Sequence, residues 1–357
     1  IHLNVDYPFN LTGILYFPKI SNDLNLQKDR IQLYQNQVFV TDNVEGIVPE
    51  FLGLLKGVID SPDIPLNVSR SYLQSDASVK KITNYITRKV ADKLNSIFKN
   101  ERENLESKWN DIKVVIEYGM LTEDKFYDKA ESFNLYPTVD DKYFTYEELE
   151  KKIKKLQTDK DGNLIILYAQ NKDEQYTYIE SAKEKGYEVL LLDSPIIPHL
   201  MQKLESKKEK IKFSRVDSDT LENLIKKDGE VISKLTDEEK EKLKPMIETA
   251  VENEKYTVQL EALDSNSMPF MLAQPEFMRR MKEMQQTGGG AMGNLPEMYS
   301  LIVNTNHELV GKILNTRTEK KRNSLIKQSI DLAKLSQNNL TGKDLTEFIN
   351  RSIDLIK

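Results

Sequence analysis

The feature that most constrains the fold is a change of hydrophobic period after Gly162. Residues 164–168 form a short apolar run, residues 172–185 follow a helix-like pattern, and residues 188–192 form a second short run. Strand-like runs that alternate with a helix are typical of a βαβ unit with parallel strands. A third strand is predicted over 211–216. Neither G-x-G-x-x-G nor G-x-x-x-x-G-K-[ST] occurs here, so we interpret the unit as structural rather than as a nucleotide site.

The first hundred residues predict a second, larger α/β unit. Residues 11–17 and 31–40 are rich in β-branched and aromatic side chains, so both runs are predicted to be strands of one sheet. A long amphipathic helix is predicted over 79–97. Between these elements a proline at position 49 can begin a helix, and apolar residues follow it at helical spacing. A helix ending near residue 59 is therefore predicted from Phe51, Leu52, Leu55 and Val58.

Length and composition exclude several classes of protein. A chain of 357 residues is too long for one ordinary core and predicts two or three domains. A net charge of −6 disfavours partners such as nucleic acid or an anionic membrane. The chain has no cysteine, and its three histidines lack a metal-ligand partner at i+3 or i+4, so no metal site is predicted. No apolar run is long enough to span a bilayer, and a cytoplasmic location fits best.

A polar loop at 60–74 presents one arginine between two predicted helices. Pro62 and Pro65 fix the backbone torsion φ and remove two donors, so the preceding helix cannot continue through the loop. The guanidinium of Arg70 can bind two phosphate oxygens at once. The alternative from residue types alone is that Arg70 pairs with a neighbouring acid, Asp60 or Asp63.

The stretch 31–74 resembles the middle domain of the 90-kDa heat-shock protein chaperones of the bacterial HtpG type. It includes V-F-V-T-D-N-V-E-G-I-V-P-E-F-L and P-L-N-V-S-R-S-Y-L-Q. The resemblance implies that Arg70 contacts the γ-phosphate of ATP held by a separate N-terminal domain, and that Gln74 supports Arg70. The family usually has an acid directly after this arginine, where this chain has Ser71. Ser71 carries no charge and cannot make the ion pair of that acid, and the role implied for the arginine does not depend on it.

The resemblance also implies cofactors and partners. The full-length protein would use ATP with magnesium, form a homodimer and bind unfolded or partly folded client proteins. The chain begins at Ile1 with no signal-like segment, so we expect it to start inside a longer protein whose ATP-holding domain comes first. ATPase activity is then expected only for the full-length chaperone and not for this chain alone.

Residues 268–298 contain seven of the ten methionines. If Pro275 or Glu276 opens a helix, four apolar residues share one face and charged residues, including Arg279, occupy the other. A row of methionines can adapt to many apolar partners, and the resemblance implies an amphipathic client-binding helix in this domain. The alternative is that the methionines are ordinary core. The predicted client contacts within 270–284 are Phe270, Phe277, Met278, Met281 and Met284.

The last three helical stretches, 307–314, 322–335 and 343–356, leave too little chain to cover all their apolar stripes. Two such helices per chain can pair around a two-fold axis as a four-helix bundle. The alternative is that they fold back on their own domain. The predicted dimer contacts are Leu345, Phe348, Ile349, Ile353 and Ile356.

These observations predict an α/β fold, in which several domains each combine helices and strands as an α+β multidomain protein. A three-layer α/β middle domain with a helical extension is expected over 1–157, with a smaller βαβ subdomain over 158–228. An α+β C-terminal domain for dimerisation and client contact is expected over 229–357. Two other functions stay open, namely a non-enzymatic homodimeric scaffold and a phosphate-binding regulatory module.

Overall fold

The computed structural model describes residues 1–18, 31–44, 46–64, 77–227, 229, 231–251, 255–288 and 298–356. The chain folds into two compact units. The first consists of Ile1–Tyr136 and Tyr143–Leu149, and the second consists of Pro137–Lys142 and Glu150–Lys357. Both units contain helices and sheets, which confirms the predicted mixed α/β class. The finer division at residues 158 and 229 stays a prediction.

The first unit is built on a five-stranded sheet. Its spatial order is β1-β2-β5-β3-β4, in which β3 and β5 run parallel and all other neighbours run antiparallel. Side chains alternate between the two faces of β2, so that Leu11 and Leu15 are fully buried while Ile14 is exposed. The strands are β1 (His2–Val5), β2 (Leu11–Tyr16), β3 (Ile31–Gln35), β4 (Val38–Thr41) and β5 (Lys56–Asp60).

The helix predicted between residues 49 and 59 is wrong. Only a short 3-10 helix, Glu50–Leu52, occurs there, and the chain then enters the central strand β5. Phe51 and Leu52 are buried through the 3-10 turn, whereas Ile59 is buried through the strand. Gly57 has φ of +145°, and a Cβ there would lie 2.0 Å from the backbone oxygen of Ile14. The apolar spacing therefore arises from two different elements and not from one helix.

Helices follow the sheet of the first unit. The predicted amphipathic helix is confirmed as α1 (Ala77–Asn100), whose stripe from Val79 to Leu94 is buried. Next come α2 (Arg102–Ser107), α3 (Trp109–Thr122) and α4 (Asp124–Ala130). The chain then forms the two-residue strands β6 (Tyr136–Pro137) and β7 (Tyr143–Phe144), followed by α5 (Tyr146–Gln157).

The second unit contains the predicted βαβ arrangement. Strand β8 (Leu164–Ala169) lies between β10 (Ile211–Arg215) and β9 (Val189–Leu191), and all three strands are parallel. Every residue of β8 is buried, as expected for the central strand of a parallel sheet. The connecting helices are α6 (Tyr176–Glu184) and α7 (Ile197–Lys207), and the short α8 (Leu221–Leu224) follows β10.

A mixed sheet with the order β11-β13-β12 forms the rest of the second unit. Strand β13 pairs in parallel with β11 and antiparallel with β12. The strands are β11 (Tyr256–Glu261), β12 (Phe270–Ala273) and β13 (Tyr299–Asn304). The helices are α9 (Asp237–Glu248), α10 (Glu276–Gly288), α11 (Glu308–Asn315), α12 (Glu319–Ser336) and α13 (Gly342–Ile356).

Candidate functional site

Helix α10 carries most of the predicted client contacts, and it begins at Glu276 as the sequence predicts. Phe277 is 70% exposed, and Met278, Met281 and Met284 are each only partly buried. The apolar stripe of α10 is therefore not fully buried as a core stripe would be.

Phe270 needs a correction, because it is not part of this helix. It belongs to strand β12, where it is 2% exposed and packs in the core with residues such as Leu272 and Val303. A side chain buried in this way has no surface to offer a client in this arrangement. The predicted client segment 270–284 combines two elements, the strand β12 and the helix α10, and Phe270 lies in the strand.

The charged face of α10 is the one that packs inward. Its four members recur at i, i+3, i+4 and i+7, the spacing of a single helical stripe. Arg279 is only 3% exposed. Sequence reasoning placed Arg279 opposite the methionines but missed that its face is buried against β8, β10 and α7. The stripe consists of Glu276, Arg279, Arg280 and Glu283.

Arg279 lies at the centre of these contacts. Its Nη2 donates to the hydroxyl oxygen of Tyr168 at 2.8 Å and also to a carboxylate oxygen of Glu276. Its Nη1 donates to Glu283 Oε1 at 2.9 Å. The guanidinium carbon lies 5.6 Å from the centre of the Tyr168 ring, within the range of a cation–π contact. The Tyr168 hydroxyl in turn donates to Glu276 Oε1 at 2.8 Å.

A second arginine fixes the start of the helix. Arg280 donates from Nε to Glu276 Oε1 at 2.7 Å and from Nη1 to Glu205 Oε2 at 2.8 Å. Its Nη2 donates to the backbone oxygen of Phe213 at 2.6 Å. Strand β10 adds one more bond, because the backbone N–H of Arg215 donates to Glu276 Oε2 at 3.1 Å. Glu276 therefore accepts from several donors at the N-terminus of α10, where a negative charge is favourable.

Glu276 and Arg279 hold each other in their charged forms. Burial alone would raise the pKa of Glu276, but the positive charges of Arg279 and Arg280 outweigh burial and lower that pKa to about 2. For Arg279, burial opposes the charged form, yet Glu276, Tyr168 and Glu283 together raise its pKa further. Both groups stay ionised at every pH near neutrality, so their ion pair does not act as a pH switch.

A groove with a volume of about 900 Å³ opens beside the start of α10. Pro275 and Phe277 line its helical side, and Phe213 and Leu224 add apolar surface from the parallel-sheet region. Polar side chains such as Lys212 also line it. The exposed ring of Phe277 thus stands at a concave surface, most of whose lining residues are polar.

The predicted dimer contacts on α13 separate into two groups. Phe348 is 9% exposed, so little of its side chain is available to a second chain, and its role as a dimer contact stays a prediction. Ile349 and Ile353 are 47% and 48% exposed, and Leu345 is partly buried. The side chain of Ile356 lies outside the described part of the chain.

Polar contacts hold α13 on α12. Gln328 Nε2 donates to the hydroxyl of Ser352 at 2.8 Å, and Lys327 donates to Glu347 Oε2 at 3.1 Å. Arg351 Nη2 donates to a carboxylate oxygen of the buried Asp331. The side of α13 that contains Ile349 and Ile353 is thereby turned away from these contacts.

Arg70 and Gln74 lie outside the described residues, so their predicted role stays a prediction. The two acids proposed as alternative partners of Arg70 are described. Asp60 Oδ2 accepts from the backbone N–H of Gln37 at 2.8 Å, and Asp63 Oδ2 accepts from the backbone N–H of Asn10 at 2.6 Å. Both carboxylates therefore already have a backbone donor.

Two features of other protein classes are missing from the described ranges. No helix in those ranges combines the length and apolarity that a membrane span requires. The same residues include no group of three or more histidine, aspartate or glutamate side chains arranged to hold a metal ion.

Comparison with known proteins gives consistent matches along the chain. The family model described as "Hsp90 protein" matches residues 1–351. The chaperone protein HtpG of Bacteroides thetaiotaomicron is 46% identical, over 100% of this chain and 62% of that protein. HtpG of Porphyromonas gingivalis is 51% identical over 94% of this chain and 50% of the relative, and HtpG of Wolinella succinogenes is 26% identical over 98% and 57%. The chain thus spans about half to three fifths of the length of these relatives.

Proposed function

The chain belongs to the Hsp90 protein family, and from that premise we propose that it is the client-holding and dimerising part of an ATP-driven chaperone. The observation that carries this proposal is the orientation of α10. Arg279 at the centre of its charged stripe is 3% exposed and the other three charged residues are partly buried, while Phe277 is 70% exposed and three methionines remain partly accessible. A surface of this kind suits many apolar segments without a fixed shape.

Replacement of Met278 and Met281 by serine tests the client surface. Both side chains are partly buried on the side of α10 away from the Arg279 contacts, so we expect the melting temperature to stay within about 2 °C of the parent. Suppression of the aggregation of a thermally unfolding model protein should fall severalfold, because serine cannot make the apolar contacts. Static light scattering of the client and calorimetry of the chain measure the two effects.

Met246→Ser is the matched control. Met246 is also partly buried, but it lies in α9 and packs on the core of the second unit. This variant should lose thermal stability and keep client protection. A large loss of stability with unchanged protection in the Met278→Ser/Met281→Ser variant would contradict the proposal and show that the two methionines are core residues. No client protection by the parent chain would favour the homodimeric scaffold.

We further propose that Arg70 acts on ATP bound by a domain outside this chain, with Gln74 in support. A guanidinium fork fits the γ-phosphate because it pairs with two oxygens, and it stabilises the charge that develops during phosphoryl transfer. ATP with magnesium, held by that domain, would supply the γ-phosphoryl group, and Arg70 would assist its transfer to water. In a protein that carries an ATP-holding domain, Arg70→Ala should lower ATP turnover and leave ATP affinity largely intact.

The size of this effect depends on how Arg70 reaches the phosphate. Arginine fingers contribute roughly a thousandfold or more in other phosphoryl-transfer enzymes, and an arginine that arrives with a moving domain contributes less. Gln74→Ala should act in the same direction and more weakly. Unchanged turnover in Arg70→Ala would contradict the role. For the 357-residue chain alone, calorimetry should detect no ATP binding, and micromolar affinity would reveal a different nucleotide site.

A further inference from the structure

Helix α10 is docked in the reverse of the usual amphipathic orientation. A surface helix normally buries its apolar stripe and leaves its charges in water. Here Arg279 is 3% exposed and Phe277 is 70% exposed, although they lie two residues apart. Hydrophobic burial alone favours the opposite arrangement, so another interaction must select the observed face.

Bonds from the charged stripe to neighbouring elements supply that selection. Three bonds from Nη1 and Nη2 of Arg279 reach Tyr168, Glu276 and Glu283, while its Nε–H finds no acceptor among the described residues. Two of these partners are on α10 itself, and Tyr168 is on the central strand β8. Arg279 therefore joins the helix to a strand that is buried along its whole length.

Buried ion pairs contribute more to orientation than to stability. The desolvation of both charges offsets most of their attraction, so the pairs add little net free energy of folding. Rotation of α10 would break its bonds to Tyr168 of β8, to Glu205 of α7 and to the backbone of β10. The groups left behind, the Tyr168 hydroxyl and the Glu205 carboxylate, would then lack these partners, which is unfavourable in a buried site. A planar guanidinium is also more directional than an ammonium group, because its donors have fixed geometry.

We propose that Arg279 is the positioning residue that keeps the Phe277 and methionine face of α10 turned outward. This role rests on the proposed client function, since it explains how the client surface stays available. Without the bond and the ring contact from Arg279 to Tyr168, the helix should turn its apolar face inward or detach from β8.

A fluorescent label on α10 tests which face is outward. The chain has no cysteine, so Phe277→Cys provides a single thiol for an environment-sensitive fluorophore. In the parent background the label should emit as a solvated probe. Arg279→Met in the labelled Phe277→Cys chain should shift the emission to shorter wavelength if the apolar face turns inward. If the helix detaches instead, amide hydrogen exchange in 276–288 should rise by about tenfold or more. Exchange in β8 should change less than about twofold.

Conservative variants separate positioning from general instability. Arg279→Lys retains the charge but loses the fork, so it should recover part of the parental signal. Arg317→Met is the control, because Arg317 is exposed outside α10, and it should change neither signal. If Arg279→Met does not fold, Tyr168→Phe decides, since it removes one hydroxyl and keeps the ring. It should shift both readouts in the same direction and by less.

Unchanged emission and unchanged exchange in Arg279→Met, or in Tyr168→Phe where that variant decides, would overturn the positioning role. The client function has a separate readout. If Met278→Ser/Met281→Ser keeps full client protection while Arg279→Met moves the label, the client surface is wrong and the positioning role stands. If Met278→Ser/Met281→Ser loses protection while Arg279→Met leaves the emission and the exchange unchanged, the positioning role is wrong and the client surface stands.

Discussion

At the residue scale, Asp331 shows how a buried acid can depend on one partner. Its carboxylate is 4% exposed in α12 and accepts a bond from Arg351 of α13. Burial raises the pKa of Asp331, and the charges of Arg351, Lys334 and Lys327 offset only part of that rise. The folded state therefore favours the protonated acid more than the unfolded state does, so this group destabilises the fold as pH rises through its folded pKa.

Replacement of Arg351 by methionine should enlarge this effect. With its closest positive charge removed, Asp331 should have a still higher pKa, and its ionised form would be buried without that partner. We expect a loss of about 2 kcal/mol near pH 8, which shrinks as pH falls toward the ordinary range of an aspartate. Urea unfolding at pH 5 and pH 8 measures the difference.

Asp331→Asn added to Arg351→Met provides the control, because it removes the unpaired charge. The double variant should recover much of the stability at pH 8, and it should lack the loss of stability with rising pH that Asp331 causes in Arg351→Met. A loss in Arg351→Met that is equal at both pH values would show that packing of the arginine chain matters, and not the charge of Asp331.

At the element scale, Gly119 allows α3 to approach its neighbours closely. A Cβ at this position would lie 2.6 Å from two ring atoms of Phe51 and 2.8 Å from a ring atom of Phe126. Both rings are buried, with centroids 4.6 Å apart. Alanine should therefore overpack the core and lower stability by about 1–3 kcal/mol.

Gly311→Ala is a matched control for the same chemical change. Gly311 is also inside a helix, α11, but apart from its chain neighbours and its own helix backbone, no described residue places an atom within 4 Å of its added Cβ. Alanine there should raise stability by roughly 0.5–1 kcal/mol through helix propensity. Thermal unfolding of both variants checks the pair, and a stabilising effect at Gly119 would show that the aromatic rings can move apart without loss.

The elements also show which features are predictable from the sequence. The βαβ unit of β8, α6 and β9 is predictable because two apolar runs flank an amphipathic one, and that order has few solutions. The segment at 49–59 is not, because helical spacing of apolar residues also arises when a 3-10 turn leads into a buried strand. Gly57 indicates the close backbone approach in β5.

The candidate site was predictable only in part. The apolar stripe of α10 and its start at Glu276 follow from spacing and from Pro275. The inward direction of the charged stripe does not, because spacing defines faces and not their environment. A stripe of two acids and two arginines at i, i+3, i+4 and i+7 was the available signal. Its partners Tyr168 and Glu205 are distant in the sequence, so no local pattern indicates them.

At the scale of the whole molecule, the C-terminal helices leave apolar surface uncovered. Ile349 and Ile353 on α13 are about half exposed, and Leu332 and Leu335 on α12 are 46% and 41% exposed. One helical turn separates the two isoleucines, so they share one face of α13. Single exposed apolar residues are common, but a cluster on two adjacent helices favours association.

We therefore predict a homodimer through these helices, in which two helices from each chain form a four-helix bundle. Light scattering at micromolar concentration should give twice the chain mass of 41.3 kDa. Ile349→Glu with Ile353→Glu should give the monomer mass, because the charges cannot be buried without partners. Truncation of the chain before Lys343 should also give a monomer. Ile232→Glu is the control, since Ile232 is 86% exposed outside these helices and its replacement should leave the dimer intact. A parent mass near 41.3 kDa would contradict the dimer, and an intact dimer in the double glutamate variant would place the interface elsewhere.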